Sequence, residues 1–349
     1  MNPKEIFAQR LKMARTMRGL TLRKLADAIG FSHNTFHKYE KGEALPNSEG
    51  LIKIAEVLAQ PVDFFSRPIA VQLAKIEFRK KSSLGKTKID QIQSEAEDYF
   101  ERYLFLEESL GINTAFVNPL EHFQVNTIDD VEDAASLLRN CWKLGQDAIV
   151  NVLELLENQS FKIQLLDTDA KLDGFSGYYG STPVIVLNKQ YTPDRLRFTA
   201  LHEVGHLLLK ISSLFTEKEQ EKACHRFAGA MLIPRDVFYR EFGGHRVRLT
   251  AKELIEIKEE YGISISAIIS RARDLGLVSE SFYTTFWKQY NRMGWKTGEP
   301  GQLVVRETSH RFEQLLQRAA ATEALTISKC ASLAKKNLAE FRKELEFIP

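Results

Sequence analysis

The sequence predicts a multidomain chain, mainly α-helical, with an α+β middle domain, a five-helix head at the N-terminus and a helical C-terminal region. Three observations carry this expectation. A length of 349 residues exceeds what one small core fills and suits two or three domains. Helical periodicity broken by short turns runs through residues 1–68. Residues 126–280 instead mix helical periodicity with strand signals, namely the alternation of Phe161 to Leu165 and the apolar run from Pro183 to Leu187.

A hydrophobic share of 44% with 27% charged residues is the mixture of a globular chain and argues against a disordered or membrane-embedded one. No apolar run approaches the roughly 20 residues a membrane helix needs, and the first residues lack the apolar core of a signal peptide. Cys141, Cys224 and Cys330 lie too far apart for a disulfide framework. The expected location is the cytoplasm. The formal net charge of +2 says little, but residues 1–68 hold 11 Lys and Arg against 7 Asp and Glu. A basic head on a near-neutral body fits a nucleic-acid contact at that head.

Four pieces follow in order. Residues 1–68 form the head. Residues 69–125 read as a connector: an extended piece at 74–79, a basic loop at 80–88, and a long polar helix from Ile89 to about Leu110. Residues 126–280 form the α+β domain, with two helices between Ile128 and Asn158 and two long ones at about 194–210 and 217–232. Residues 281–349 open with an aromatic cluster from Phe282 to Trp295, expected in the core, and end in helices.

In the head, Thr21 caps a helix that Gly30 stops by taking positive φ. Ser32 then caps a second helix, whose Phe36 and Tyr39 face inward with Leu22, Leu25, Ala26 and Ile29 of the first. This arrangement leaves Ser32, His33, Asn34, Thr35, His37 and Lys38 near the start of the second helix or on its outer face, where a recognition helix reads base edges and phosphates. Over residues 6–65 the segment resembles the Xre/Cro-type repressor domain through Leu25-Ala26, Gly30, Ser32, Glu40 and Gly42. The resemblance implies a double-stranded DNA operator and a homodimer reading two half-sites, and it makes a bacterial source the expectation. The rival reading is a five-helix domain that binds only protein.

In the middle domain, His202-Glu203-Val204-Gly205-His206 is an HExxH motif within a helical pattern. Residues four apart share a helix face, so both imidazoles can reach one Zn²⁺. Glu203, next to the first ligand, is the general base that takes a proton from the attacking water and later passes it to the leaving amine. A third ligand is sought on the next helix, which opens on the capping box Thr216/Glu219. There Glu221 shares a stripe with Cys224, His225, Ala228 and Leu232 and is the favoured carboxylate; His225 is a candidate to orient a ligand.

The stretches 197–209 and 221–234 resemble the ImmA/IrrE family of zinc metallopeptidases, and the likeness spans about residues 126–280. That resemblance implies a zinc cofactor held by His202, His206 and Glu221, with Glu203 as the catalytic base. Cys224 and His225 stand where the family's second block reads Ala and Asn, which touches the tuning of the site.

Several other residues carry weaker expectations. The segment 174–187 is a candidate sheet edge for holding an extended peptide, with an internal strand and loop as the alternative. Tyr178, Tyr179 and His245 are candidates for stabilising an oxyanion, each with a structural role as the alternative. Cys224 is expected to be a buried small hydrophobe. The stretch 327–345 resembles a second helix-turn-helix without a turn glycine, read as a degenerate copy for packing or dimer contact.

The expected function is a DNA-binding transcription regulator carrying a zinc-dependent endopeptidase. Its substrate or partner would be a protein, with an Xre-type repressor or a toxin as the classes considered, in a stress or mobile-element response. The alternative is a regulator or antitoxin whose peptidase-like domain senses or binds a partner without cleaving it.

Overall fold

The computed structural model describes residues 2–68, 73–74, 85–112, 115–168, 172–304 and 306–345. The described chain is mainly helical with a small sheet in its middle part, as the periodicity predicts. It divides into two compact units, one of residues 1–114, 178–181 and 310–349, the other of residues 115–177 and 182–309. The stretch 281–349, one piece in the sequence reading, is thus shared between the units.

In the first unit, the head comprises α1 (Pro3–Met17), α2 (Leu22–Ile29), α3 (His33–Glu40), α4 (Ser48–Leu58) and a 3-10 turn at Val62–Ser66 as its fifth element. Phe7, Leu11, Leu25, Ala26, Phe36, Ile54, Leu58 and Phe64 form its core. The connector helix α5 (Lys86–Ser109) packs against α1 and against α14 (Arg311–Ala321). Two short helices complete the unit, α15 (Ile327–Ala334) and α16 (Leu338–Glu344). Tyr103 and Leu106 of α5 share an apolar cluster with Phe312, Leu315, Cys330 and Leu333. The second helix-turn-helix-like stretch is therefore packed on the connector. Its turn residue, Lys335, adopts the left-handed φ of 56° that a glycine would take more cheaply. The extended piece at 74–79 and most of the basic loop lie outside the described residues, save that β1 (Leu73–Ala74) pairs antiparallel with Tyr178 and Tyr179.

The second unit begins with β2 (Gln124–Val125), α6 (Asp130–Cys141) and α7 (Val152–Asn158). The strands β3 (Lys162–Leu166), β4 (Gly174–Tyr179) and β5 (Thr182–Asn188) follow. Next come α8 (Pro193–Leu208), β6 (Lys210–Ile211), α9 (Glu217–Leu232), α10 (Arg235–Phe242), α11 (Ala251–Tyr261), α12 (Ile265–Asp274) and α13 (Glu280–Arg292). β3 and β5 run parallel, with Ile163 opposite Ile185 and Leu165 opposite Leu187. β5 lies between β4 and β3. Of the two readings of 174–187, the internal strand holds for Pro183 to Leu187 and the sheet edge does not: β5 is buried on both faces, which is why it reads as a continuous apolar run. The Gly-rich stretch before it is itself a strand, β4, alternating half-buried and buried residues.

Candidate functional site

Two helices build the site. Pro193 begins α8, and the capping box of Thr216 and Glu219 begins α9. Leu201, Val204 and Leu208 of α8 and Phe227, Ala228 and Met231 of α9 are fully or almost fully buried in one core. The helices approach closely because α8 carries Gly205 at the contact. A Cβ there would stand 3.3 Å from Cα and Cβ of Cys224 and from Cδ1 of Phe227, tighter than ordinary van der Waals contact.

That approach brings the predicted ligands together. The Nε2 atoms of His202 and His206 are 2.9 Å apart. Carboxylate oxygens of Glu221 lie 3.7 Å from His202 Nε2 and 3.5 Å from His206 Nε2. Two ligand atoms each about 2.0–2.1 Å from a tetrahedral ion stand about 3.3–3.4 Å apart. The separations, each imidazole measured to a different oxygen of Glu221, bracket that value, so the two imidazole nitrogens and the carboxylate fit a zinc-sized ion, and their hardness suits zinc among the divalent metals.

Glu203 points to a different partner. Its carboxylate accepts a hydrogen bond of 2.6 Å from the Ser176 hydroxyl on β4. Both Glu203 and His202 are buried, at 7% and 9% exposure, so the site is largely shielded from bulk water. Ser176 escaped the sequence reading. Its signal is faint: a hydroxyl on the less buried face of an alternating strand.

Cys224 is fully buried, as expected for a small hydrophobe, yet its sulfur lies 2.9 Å from His206 Nδ1. When His206 offers its Nε2 lone pair to a metal, the neutral ring carries its proton on Nδ1. Sγ then accepts that N–H and fixes the tautomer. His225 stands against the candidate ligands themselves: one of its nitrogens, one of His202 and an oxygen of Glu221 all lie within 4.8 Å of one another.

The ligand helix is tied down from behind. Glu132 of α6 is buried and receives Nε of Arg226 on α9 at 2.9 Å and both terminal nitrogens of Arg271 on α12 at 2.9–3.0 Å. Burial alone would raise the Glu132 carboxyl pKa; the two guanidinium groups overcome this and hold it below the usual range. Of the oxyanion candidates, His245 is exposed in the segment after α10. Tyr178 and Tyr179 pair with β1 and belong to the first unit.

In the head, the caps form as read: Thr21 accepts from the Lys24 N–H, Ser32 from the Thr35 N–H, and Gly30 takes φ 80°. Ser32 spends its hydroxyl locally, on that cap and on Thr35 Oγ1 at 2.8 Å. His33, Asn34, His37 and Lys38 are exposed and Thr35 half-exposed, with the two histidine rings stacked 6.5 Å apart. Arg15 pairs with Glu40 at 2.6 Å, locking α3 to α1.

Comparison with known proteins finds a family match over each of these two regions. Residues 6–63 match the family described as helix-turn-helix domain, and residues 157–273 match the family described as IrrE N-terminal-like domain. The chain therefore carries a helix-turn-helix domain followed by an IrrE N-terminal-like domain. It is 36% identical over 59 residues to the SPbeta prophage-derived HTH-type transcriptional regulator YonR of Bacillus subtilis, covering 17% of this chain and 55% of that one. It is 42% identical over 55 residues to the cryptic phage CTXphi transcriptional repressor RstR of Vibrio cholerae, covering 16% and 49%. An HTH-type transcriptional regulator of Sinorhizobium medicae is 28% identical over 117 residues, covering 33% of this chain and 76% of the relative. The chain thus spans about half the length of the first two relatives. The apo form of the competence regulator ComR from Streptococcus vestibularis aligns over 98% of both chains at 13% identity, with a TM-score of 0.18, too low to bear on the fold. Among the described residues, no helix is long and apolar enough to cross a membrane.

Proposed function

We propose that this protein is a DNA-binding transcription regulator whose IrrE-like domain is a zinc-dependent endopeptidase acting on a protein. The observation that carries the second half is the meeting of His202, His206 and Glu221 within reach of one ion, with Glu203 one residue along the same helix. A bound zinc would supply Lewis acidity toward a scissile carbonyl. The chain's own residues do the rest. His202, His206 and Glu221 hold the ion, Ser176 orients the Glu203 carboxylate, and Glu203 takes a proton from the attacking water and returns it to the leaving amine. Burial around the site strengthens these charges relative to water.

The head supports operator binding through the exposed α3 face of His33, Asn34, His37 and Lys38, in a dimer that reads two half-sites. The relatives named as phage and prophage regulators point the same way, and a repressor-type protein is the substrate class that suits such a setting.

Metal analysis of the purified protein, with proteomics of cells carrying the wild type or Glu203→Gln, tests the peptidase. One equivalent of zinc in both and loss of a cleavage product in the variant are expected. A metal-free protein, or unchanged cleavage, would refute the mechanism. For the head, duplexes selected from a random pool should show two half-sites, and Asn34→Ala should relax one base position. The second reading, a regulator that binds a partner without cutting, is favoured by one observation, the crowding of His225 against the metal donors.

A further inference from the structure

Two pairs of potential donors, each four residues apart on its own helix, meet at the candidate metal site, where ligand atoms of His202, Glu221 and His225 lie within 4.8 Å of one another. His202 and His206 come from α8, and Glu221 and His225 come from α9. The His225 ring centroid lies 4.2 Å from that of His202 with a tilt of 34°. The ring also stacks on Phe198 at 5.9 Å and 23°. A tetrahedral zinc takes four ligands. Three protein ligands leave a position open for reaction, whereas four make a closed site.

We infer that His225 is the fourth protein ligand, so that the resting site is a closed set of His202, His206, Glu221 and His225. The inference rests on the metal reading above and adds its regulation: the site is competent only when the His225 ring has left. The ring has somewhere to go. His225 is exposed and lines a cavity of about 990 Å³, together with Phe198, Arg195, Trp287 and Trp295. A protein segment seated in that cavity, or a variant lacking the imidazole, opens the fourth position. His202, by contrast, is buried and has no such exit.

The test uses the full chain loaded with Co²⁺, whose visible absorption reports coordination. Wild type, His225→Ala, His225→Asn and His202→Ala are compared for metal stoichiometry, affinity and response to acetohydroxamate. Wild type is expected to bind one Co²⁺ with a spectrum that acetohydroxamate leaves unchanged. The two His225 variants should still bind one equivalent, more weakly than the wild type, and their spectra should shift on adding acetohydroxamate. His202→Ala should lose the metal. A wild-type spectrum that responds to acetohydroxamate as the variants do would overturn the closed site while leaving the metal reading intact. Absence of metal from the wild type would overturn both. The wild-type measurement decides the matter even where a variant fails to fold.

Discussion

Ser176 and Cys224 each touch one member of the HExxH motif from outside it, and each makes a separable contribution. The Ser176 hydroxyl donates to Glu203 at 2.6 Å. Hydrogen bonds to charged groups are worth about 1.5–3 kcal/mol, so Ser176→Ala should lower kcat/KM by about tenfold or more. Metal content should stay at the wild-type value, which separates lost orientation from lost metal. Cys224 contacts the candidate ligand His206. Removing its sulfur from His206 Nδ1, at 2.9 Å, releases the tautomer. Cys224→Ala is therefore expected to weaken metal binding by roughly tenfold, measured by competition with a chromophoric chelator. An unchanged affinity would mean the sulfur only fills space.

At the level of elements, the site is a property of how two helices touch. Gly205 has no Cβ where Cys224 and Phe227 come closest, so a methyl group there must push α9 away by a few tenths of an ångström. Gly205→Ala should cost about 1–3 kcal/mol in stability through overpacking, against a small gain in helix propensity. The same shift should weaken metal binding, because Glu221 rides on α9 while the two histidines ride on α8. Equilibrium denaturation and metal titration of one variant check both. The HExxH pair was legible in the sequence because a spacing of four on one helix is local geometry. Glu221 was legible through its place on the stripe of a capped helix. Ser176 was not, since its partner lies 27 positions away across a strand-to-helix packing contact.

The whole chain shows how sequence-distant pieces stabilise each other within a unit. Asp98 of α5 is buried and sits 3.0 Å from Arg102 Nε and 2.7 Å from Lys335 Nζ. Burial would push its carboxyl up, but Arg102 and Lys335 overcome this and bring it from 3.8 down to about 2. A depressed acid contributes stability that is present above its unfolded pKa and lost as pH falls through the folded one. The difference corresponds to about 2 kcal/mol, held above pH 4 and lost by about pH 2. Asp98→Asn should destabilise the protein by about that much at neutral pH, with the gap to wild type narrowing between pH 4 and 2 in denaturant titrations. The same contact explains why the turn between α15 and α16 carries a lysine: its side chain is used by Asp98, at the cost of about 1 kcal/mol for a left-handed non-glycine residue.

What the residues settle unaided is whatever depends on near neighbours in the chain: the caps at Thr21, Ser32 and Thr216, the left-handed stop at Gly30, the helices, and the pairing of His202 with His206 on one face. Short-range sterics and hydrogen bonds act over a turn or two, so spacing encodes them. Tertiary structure alone decided that Cys224 backs His206, that Ser176 holds Glu203, that His225 lies against His202 and Glu221, and that the last helices pack on α5. Each of these is a contact across the fold, set by which apolar faces bury together, and no local spacing records it.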